Sequence, residues 1–182
     1  MMGALMGSKG RIYAFDVSEK RLNRLKPRLK RSGLSNLFPR WISNENDVKV
    51  KRLAGKVDRV LIDAPCSGLG TLRRNPDIKL RQTPESIEDA KRSQEAILAS
   101  SAKLLKPGGR LVYATCSFLP EENQEIIENF LAAHTEFTLL NCAELFMQQK
   151  IPLDTGMFLQ LYPGEHNTDS FFAAALTLAK ND

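Results

Sequence analysis

Two apolar, β-branched runs, Val57 to Ile62 and Leu111 to Ala114, each end in a short motif that carries a thiol. The first run is followed by Asp63-Ala64-Pro65-Cys66-Ser67-Gly68, and the second leads into Ala114-Thr115-Cys116-Ser117. Such runs read as buried strands. Strands alternating with helices imply a parallel α/β sheet, in which both motifs fall at the C-terminal ends of strands. Open α/β sheets bind their ligands at that edge. Neighbouring strands lie ~4.8 Å apart, so if these two are neighbours, Cys66 and Cys116 converge on one crevice. One thiol can then be a nucleophile and the other its acid/base partner.

The rest of the chain supplies the remaining elements of such a sheet. Arg11 to Phe15 reads as a strand ending at Asp16, and Ser18 caps a helix over 19–32 that Gly33 closes. Leu22, Leu25 and Leu29 share one face of it, and Pro27 should kink or shorten it. A short strand is expected around Arg40 to Ile42, and an irregular segment from Ala64 to about Gln82. Thr83, Pro84 and Glu85 open a helix with a buried stripe of Ile87, Ala90, Ile97, Ser101 and Leu104, stopped by Lys106-Pro107-Gly108-Gly109. Arg110 to Ala114 is a strand, Pro120 to Glu122 opens a helix to about His134, and Phe137 to Asn141 is a strand. Met157 to Leu161 and Phe171 to Leu178 form a final antiparallel pair at one edge, joined by the loop 162–170.

Composition narrows the class. A chain of 182 residues, 42% hydrophobic and 26% charged, is expected to be a single domain over 1–182 with one substantial core. Three cysteines, an odd number, argue against a disulfide framework and fit a reducing cytoplasm. The longest apolar stretch, Phe171 to Ala179, is too short to span a bilayer, and Met1 to Ser8 lacks the positive leading region of a signal peptide. Residues 1–60 hold 15 Lys/Arg against 5 Asp/Glu, and the remainder 11 against 16. A basic first third fits either a polyanion partner such as nucleic acid or a solvated helix face. Lys20, Arg21, Arg24, Lys26, Arg28, Lys30 and Arg31 are the candidate phosphate contacts.

Asp16, at a strand tip, can accept two hydrogen bonds from ribose hydroxyls or cap the helix after it. Asp47, in the polar loop from Asn44, can accept from an adenine amino group. Cys142 has no motif around it and reads as core. The thiols have no metal-like spacing, and His134 and His166 do not complete a site.

These motifs, with Arg73-Arg74-Asn75-Pro76-Asp77, and Pro163 through Asp169-Ser170-Phe171-Phe172, resemble the RNA (cytosine-5)-methyltransferase family. Within it the chain is most similar to the bacterial enzymes acting on small-subunit ribosomal RNA, from about Gly10 to Leu178. The resemblance implies a Rossmann-like S-adenosylmethionine-dependent methyltransferase sheet with an antiparallel edge hairpin. It implies Cys116 as the nucleophile that adds to cytosine carbon-6, and Cys66 as the residue of the release step. It implies Asp16 at the cofactor ribose, Asp47 near adenine, and Asp63 at the substrate base and the cofactor's amino-acid end. Arg74, Asp77 and Lys79, in the loop after Cys66, are expected to reach substrate or cofactor. The target cytosine would be turned out of its stack. The nucleophile needs a lowered pKa, whose source the residues do not reveal.

The chain departs from the family in three respects. Leu80 stands where a tryptophan is usual, and Ser170 where glycine is usual. No Gly-rich cofactor turn precedes Asp16, so the fold is expected to lack the first strand and that turn, as the C-terminal portion of such an enzyme would. S-adenosylmethionine binding by residues 1–182 alone is therefore expected to be weak or absent. A catalytically silent RNA-binding remnant is the alternative reading. A methyltransferase acting on protein or DNA nitrogen would prefer an Asn/Asp-Pro-Pro-aromatic loop in place of Asp63-Ala-Pro-Cys.

Overall fold

A computed structural model describes residues 1–180. The chain divides into two compact units, Met1–Arg52 and Leu53–Asp182.

In the first unit a short helix α1 (Met2–Leu5) precedes β1 (Ile12–Asp16), α2 (Glu19–Ser32), β2 (Leu37–Trp41) and α3 (Val48–Lys51). β1 and β2 pair in parallel, with Asp16 opposite Trp41, and α2 is the crossover between them. Ser18 caps α2 by accepting from the Arg21 N–H, and Gly33 ends it in the left-handed region at φ 65°. Pro27 does not shorten the helix. It lies on the exposed side with Asn23, whose carbonyl it leaves without an intrahelical donor, and water can take that carbonyl. Leu22 faces inward and is buried.

The second unit runs β3 (Val57–Asp63), α4 (Ile78–Arg81), α5 (Pro84–Ala102), β4 (Leu105–Thr115), α6 (Gln124–Ala133), β5 (Phe137–Leu140), α7 (Cys142–Gln148), β6 (Leu159–Leu161), α8 (Pro163–His166) and β7 (Phe171–Leu178). The sheet order is β3-β4-β7-β5, with β6 also on β7. β3 and β4 are parallel neighbours, with Ile62 opposite Tyr113 and Asp63 opposite Ala114. The antiparallel β6–β7 pair is present. β7 itself is flanked on both sides, by β4 on one and by β5 and β6 on the other.

Several boundaries differ from expectation. α5 ends at Ala102, and Lys106-Pro107-Gly108-Gly109 lies inside β4. The register between β3 and β4 shifts there, a bulge that gives Pro107 a place where its missing N–H is tolerated. Gly109 packs so closely that a Cβ would stand 2.7 Å from the Lys106 carbonyl. The fully buried row of α5 is Gln94, Leu98 and Ala102, with Ile87, Ala90, Ile97 and Ser101 half-buried beside it and Leu104 buried beyond the helix end. The segment 64–82 is not wholly irregular, because it contains a 3-10 turn at Leu69–Thr71 and α4. Asn141 caps α7, where Cys142 is buried as expected of core.

The core places Leu98, Leu111, Tyr113, Ile127, Phe172 and Leu176 together. Phe172 is fully buried against Tyr113 and Phe158, at centroid distances of 6.4 and 5.2 Å. Phe172→Ala should therefore destabilise the chain by about 3–5 kcal/mol, read as a lower urea midpoint at unchanged slope.

Candidate active site

β3 and β4 deliver the two thiols from adjacent strand ends. The Ala64 N–H donates to the Ala114 carbonyl at 2.9 Å, so the ladder continues one residue past β3. Cys66 and Cys116 then face each other with their Sγ atoms 3.4 Å apart, 50 residues apart in sequence. Both are half-buried free thiols.

That contact makes the two thiols unequal. Cys116 is lowered from its ordinary value to about 7, first because the Cys66 thiol hydrogen-bonds it. Burial and the negative charges of Asp63 and Glu122 oppose this shift. Cys66 is pushed strongly up, first by the same hydrogen bond and then by burial. A thiol donating to a neighbouring thiolate favours the charged form of the acceptor, which supplies what the motifs alone did not reveal. Iodoacetamide should accordingly alkylate Cys116 with a pH midpoint near 7, faster above it and slower below, as read by mass spectrometry of the labelled peptide.

The loop that carries Cys66 is anchored at several points. The Gly70 N–H donates to the Cys116 carbonyl at 3.0 Å, and the Ser170 N–H donates to the Gly70 carbonyl at 2.9 Å. Arg74 Nε donates to Asp169 at 2.7 Å in an ion pair, and Arg73 reaches Asn167 at 3.3 Å. Arg74 thus ties two loops together. Asp77 pairs with Arg81 at 2.7 Å on α4. Lys79 and Leu80 are exposed on that short helix, Leu80 at 81%.

Asp63 ends β3 with an exposed side chain, one strand away from Cys116. In the first unit, the Asp16 carboxylate accepts from the Ser18 N–H at 2.7 Å and from Arg21 Nε and Nη2 at 2.8 and 2.7 Å. The Arg21 guanidinium holds its carboxyl below the usual range. Asp47 accepts from the Lys49 N–H at 2.8 Å and from Ser43 N–H and Oγ at 3.0 and 3.2 Å, so it caps α3 and closes its own loop. The seven candidate phosphate contacts on α2 are all exposed.

Beneath the thiols lies a set of buried polar residues that the motifs did not mark. Glu122, Asn123, Gln94, Thr115 and Ser117 are at most 1% exposed. Glu122 accepts from the Ser67 N–H, the Ser67 hydroxyl and Gln94 Nε2 at 2.7, 2.6 and 3.1 Å. Tyr113 donates its hydroxyl to the Glu122 carbonyl at 2.8 Å, and burial pushes that phenol up. Pro120-Glu121-Glu122 read as a helix start with acids placed for the dipole. The structure differs: the three residues form a separate 3-10 turn ahead of α6, and the Glu122 carboxylate turns inward to Ser67.

The sheet agrees with what this chain is similar to. The family model described as 16S rRNA methyltransferase RsmB/F matches residues 1–177, and the chain belongs to that family. A Synechocystis protein named "Probable ribosomal RNA small subunit methyltransferase B" is 41% identical over 175 residues, covering 96% of this chain and 39% of its own length. Ribosomal RNA small subunit methyltransferase B of Klebsiella pneumoniae is 39% identical, covering 95% of this chain and 38% of its own. The crystal structure of NSun6 from Pyrococcus horikoshii with SFG superposes at a TM-score of 0.82 and 30% identity, over 99% of this chain and 44% of that one. The chain thus spans less than half the length of these relatives. Among the described residues no helix is long and apolar enough to cross a membrane.

Proposed function

We propose that this chain transfers a methyl group from S-adenosylmethionine to carbon-5 of a cytosine in ribosomal RNA through a covalent cysteine adduct. One observation carries the reading: Cys66 and Cys116 meet at 3.4 Å on neighbouring strand ends in a member of an RNA methyltransferase family. The names of the relatives support the substrate, and the neighbour solved with SFG, an S-adenosylmethionine analogue, supports the cofactor.

Cys116 is the nucleophile. Its thiolate, populated near neutral pH, adds to carbon-6 of the base and turns carbon-5 into an enamine-like carbon. S-adenosylmethionine supplies the methyl group as an electrophile. Release then needs the carbon-5 proton removed and the carbon–sulfur bond broken, which returns Cys116 as a thiolate. Cys66 takes that proton. While Cys116 is a thiolate, its charge and hydrogen bond keep Cys66 protonated. Once Cys116 is bonded to carbon, that charge is gone, and the half-buried Cys66 can ionise to water and act as the base.

The acids fit the remaining tasks by donor and acceptor chemistry. Asp16 presents carboxylate oxygens at a strand end, a suitable acceptor for a ribose diol, with Arg21 as the partner to be exchanged or shared. Asp63, exposed at the end of β3, accepts from the cytosine amino group. Asp47 contributes through the loop it closes, beside adenine. Arg74, Asp77 and Lys79, in the loop after Cys66, reach substrate or cofactor.

The test is methyl incorporation from labelled S-adenosylmethionine into ribosomal RNA, with nucleosides resolved by chromatography and residues 1–182 preceded by a Gly-rich cofactor turn, since cofactor binding by residues 1–182 alone is expected to be weak or absent. The expected product is 5-methylcytosine, formed with wild type and lost with Cys116→Ala. RNA binding with no incorporation would replace this reading with that of an RNA-binding remnant.

A further inference from the structure

The two thiols are each held by their chain neighbours, and the holding residues are consecutive. Cys66 lies between Pro65 and Ser67. The Pro65 carbonyl accepts from Gln94 Nε2 at 2.9 Å, and Ser67 donates its N–H and hydroxyl to the Glu122 carboxylate at 2.7 and 2.6 Å. Cys116 lies between Thr115 and Ser117. The Thr115 hydroxyl donates to Asn123 Oδ1 at 2.6 Å, and Asn123 Nδ2 donates to the Ser117 carbonyl at 3.0 Å. Glu122 and Asn123 are both fully buried, and the Ser67 and Ser117 hydroxyls meet at 3.3 Å between the two halves.

We propose that the dipeptide Glu122-Asn123 is a positioning pair that sets the separation of the Cys66 and Cys116 thiols, Glu122 holding the first and Asn123 the second. This rests on the reading of two thiols that work in succession on one base. Neither residue touches the reacting atoms.

Two features argue against a merely packing role. A buried carboxylate is a poor choice for stability, because an apolar side chain of the same volume avoids the desolvation cost. Gln94 also spends its amide on the clamp. Nε2 donates to both Glu122 and Pro65, while Oε1 is buried with no hydrogen-bond partner. Flipping the amide would satisfy nothing, since it would set oxygen against a carboxylate and a carbonyl.

The electrostatic and positional effects of Glu122 on Cys116 have opposite signs, which makes them separable. The charge of Glu122 raises the Cys116 pKa, so removing only the charge moves the alkylation midpoint down. Losing the clamp weakens the thiol–thiol hydrogen bond, whose lowering effect is the largest, so the midpoint moves up. The measurement is iodoacetamide alkylation of Cys116 against pH on the full chain, with circular dichroism as the fold control. Glu122→Ala should raise the midpoint by about one unit, roughly a fivefold slower reaction at neutral pH. Glu122→Gln retains the acceptor for the Ser67 N–H and should leave the midpoint unchanged or lower. Asn123→Ala should raise it as Glu122→Ala does. Folded Glu122→Ala with an unchanged or lowered midpoint overturns the proposal. If Glu122→Ala does not fold, Ser67→Ala decides in its place: a raised midpoint supports the clamp and an unmoved one refutes it. Absence of methyl incorporation with wild type would defeat the catalytic reading and leave this titration standing as a test of position.

Discussion

With a Gly-rich cofactor turn supplied ahead of residues 1–182, Cys66→Ala incubated with ribosomal RNA and S-adenosylmethionine should accumulate a protein–RNA adduct that survives denaturing electrophoresis, whereas Cys116→Ala should yield none. The expectation follows from the order of bond making and breaking. Cys116 forms the carbon–sulfur bond, so its loss removes the first covalent step and should lower turnover by at least about 10³-fold. Cys66 acts only after that bond exists, so its loss leaves the adduct formed and unreleased. The double variant should behave as Cys116→Ala, because release has no meaning without addition. An adduct with Cys116→Ala and none with Cys66→Ala would exchange the two roles. Removing Cys66 also removes the donor that lowers Cys116, so adduct formation in Cys66→Ala should need a higher pH than in wild type.

Gly70→Ala should disable the site through backbone alone. A Cβ at this position would stand 2.6 Å from the Cys116 carbonyl oxygen and 2.7 Å from the Ser170 carbonyl oxygen. Neither is the free end of a flexible side chain. Relief must come from moving the loop after Cys66, the turn that carries Cys116, or the entry to β7. A cost of about 1–3 kcal/mol is expected from such overpacking, read as a lower urea midpoint. Adduct formation should fall further than the stability change accounts for, because the hydrogen bond from Gly70 to Cys116 is lost in the same movement. A folded Gly70→Ala chain with wild-type alkylation at Cys116 would show that this close approach does not govern the thiol.

The thiol pair was legible because a parallel strand neighbour leaves little freedom. If two buried parallel strands are neighbours, as β3 and β4 are, their ends lie side by side, and a cysteine within a few residues of each end arrives near the other. The capped ends of α2 and the start of α5 were legible for the same local reason, since Ser18, Gly33 and Thr83 act within one turn of themselves. The start of β4 was not, because Pro107-Gly108-Gly109 stops a helix in isolation but forms a bulge when β3 is there to pair with. Gln94 lies outside the apolar stripe that periodicity marks on α5, because burial of an amide depends on partners from other elements, here Pro65 and Glu122.

The succession of strands and helices along the chain, the thiols just beyond two strand ends and the candidate acids at 16, 47 and 63 were marked by the residues themselves, through periodicity and motifs that act over short spans. Only the tertiary structure decided that Cys116 is the lowered thiol, that Arg21 engages Asp16, and that Glu122 and Asn123 turn inward beneath both cysteines. The Cys66–Cys116 and Ser67–Glu122 hydrogen bonds join residues 50 and 55 apart and leave no periodic trace in the chain, while the Arg21–Asp16 and Thr115–Asn123 bonds, five and eight residues apart, depend on which way each side chain turns and not on a helix or strand repeat.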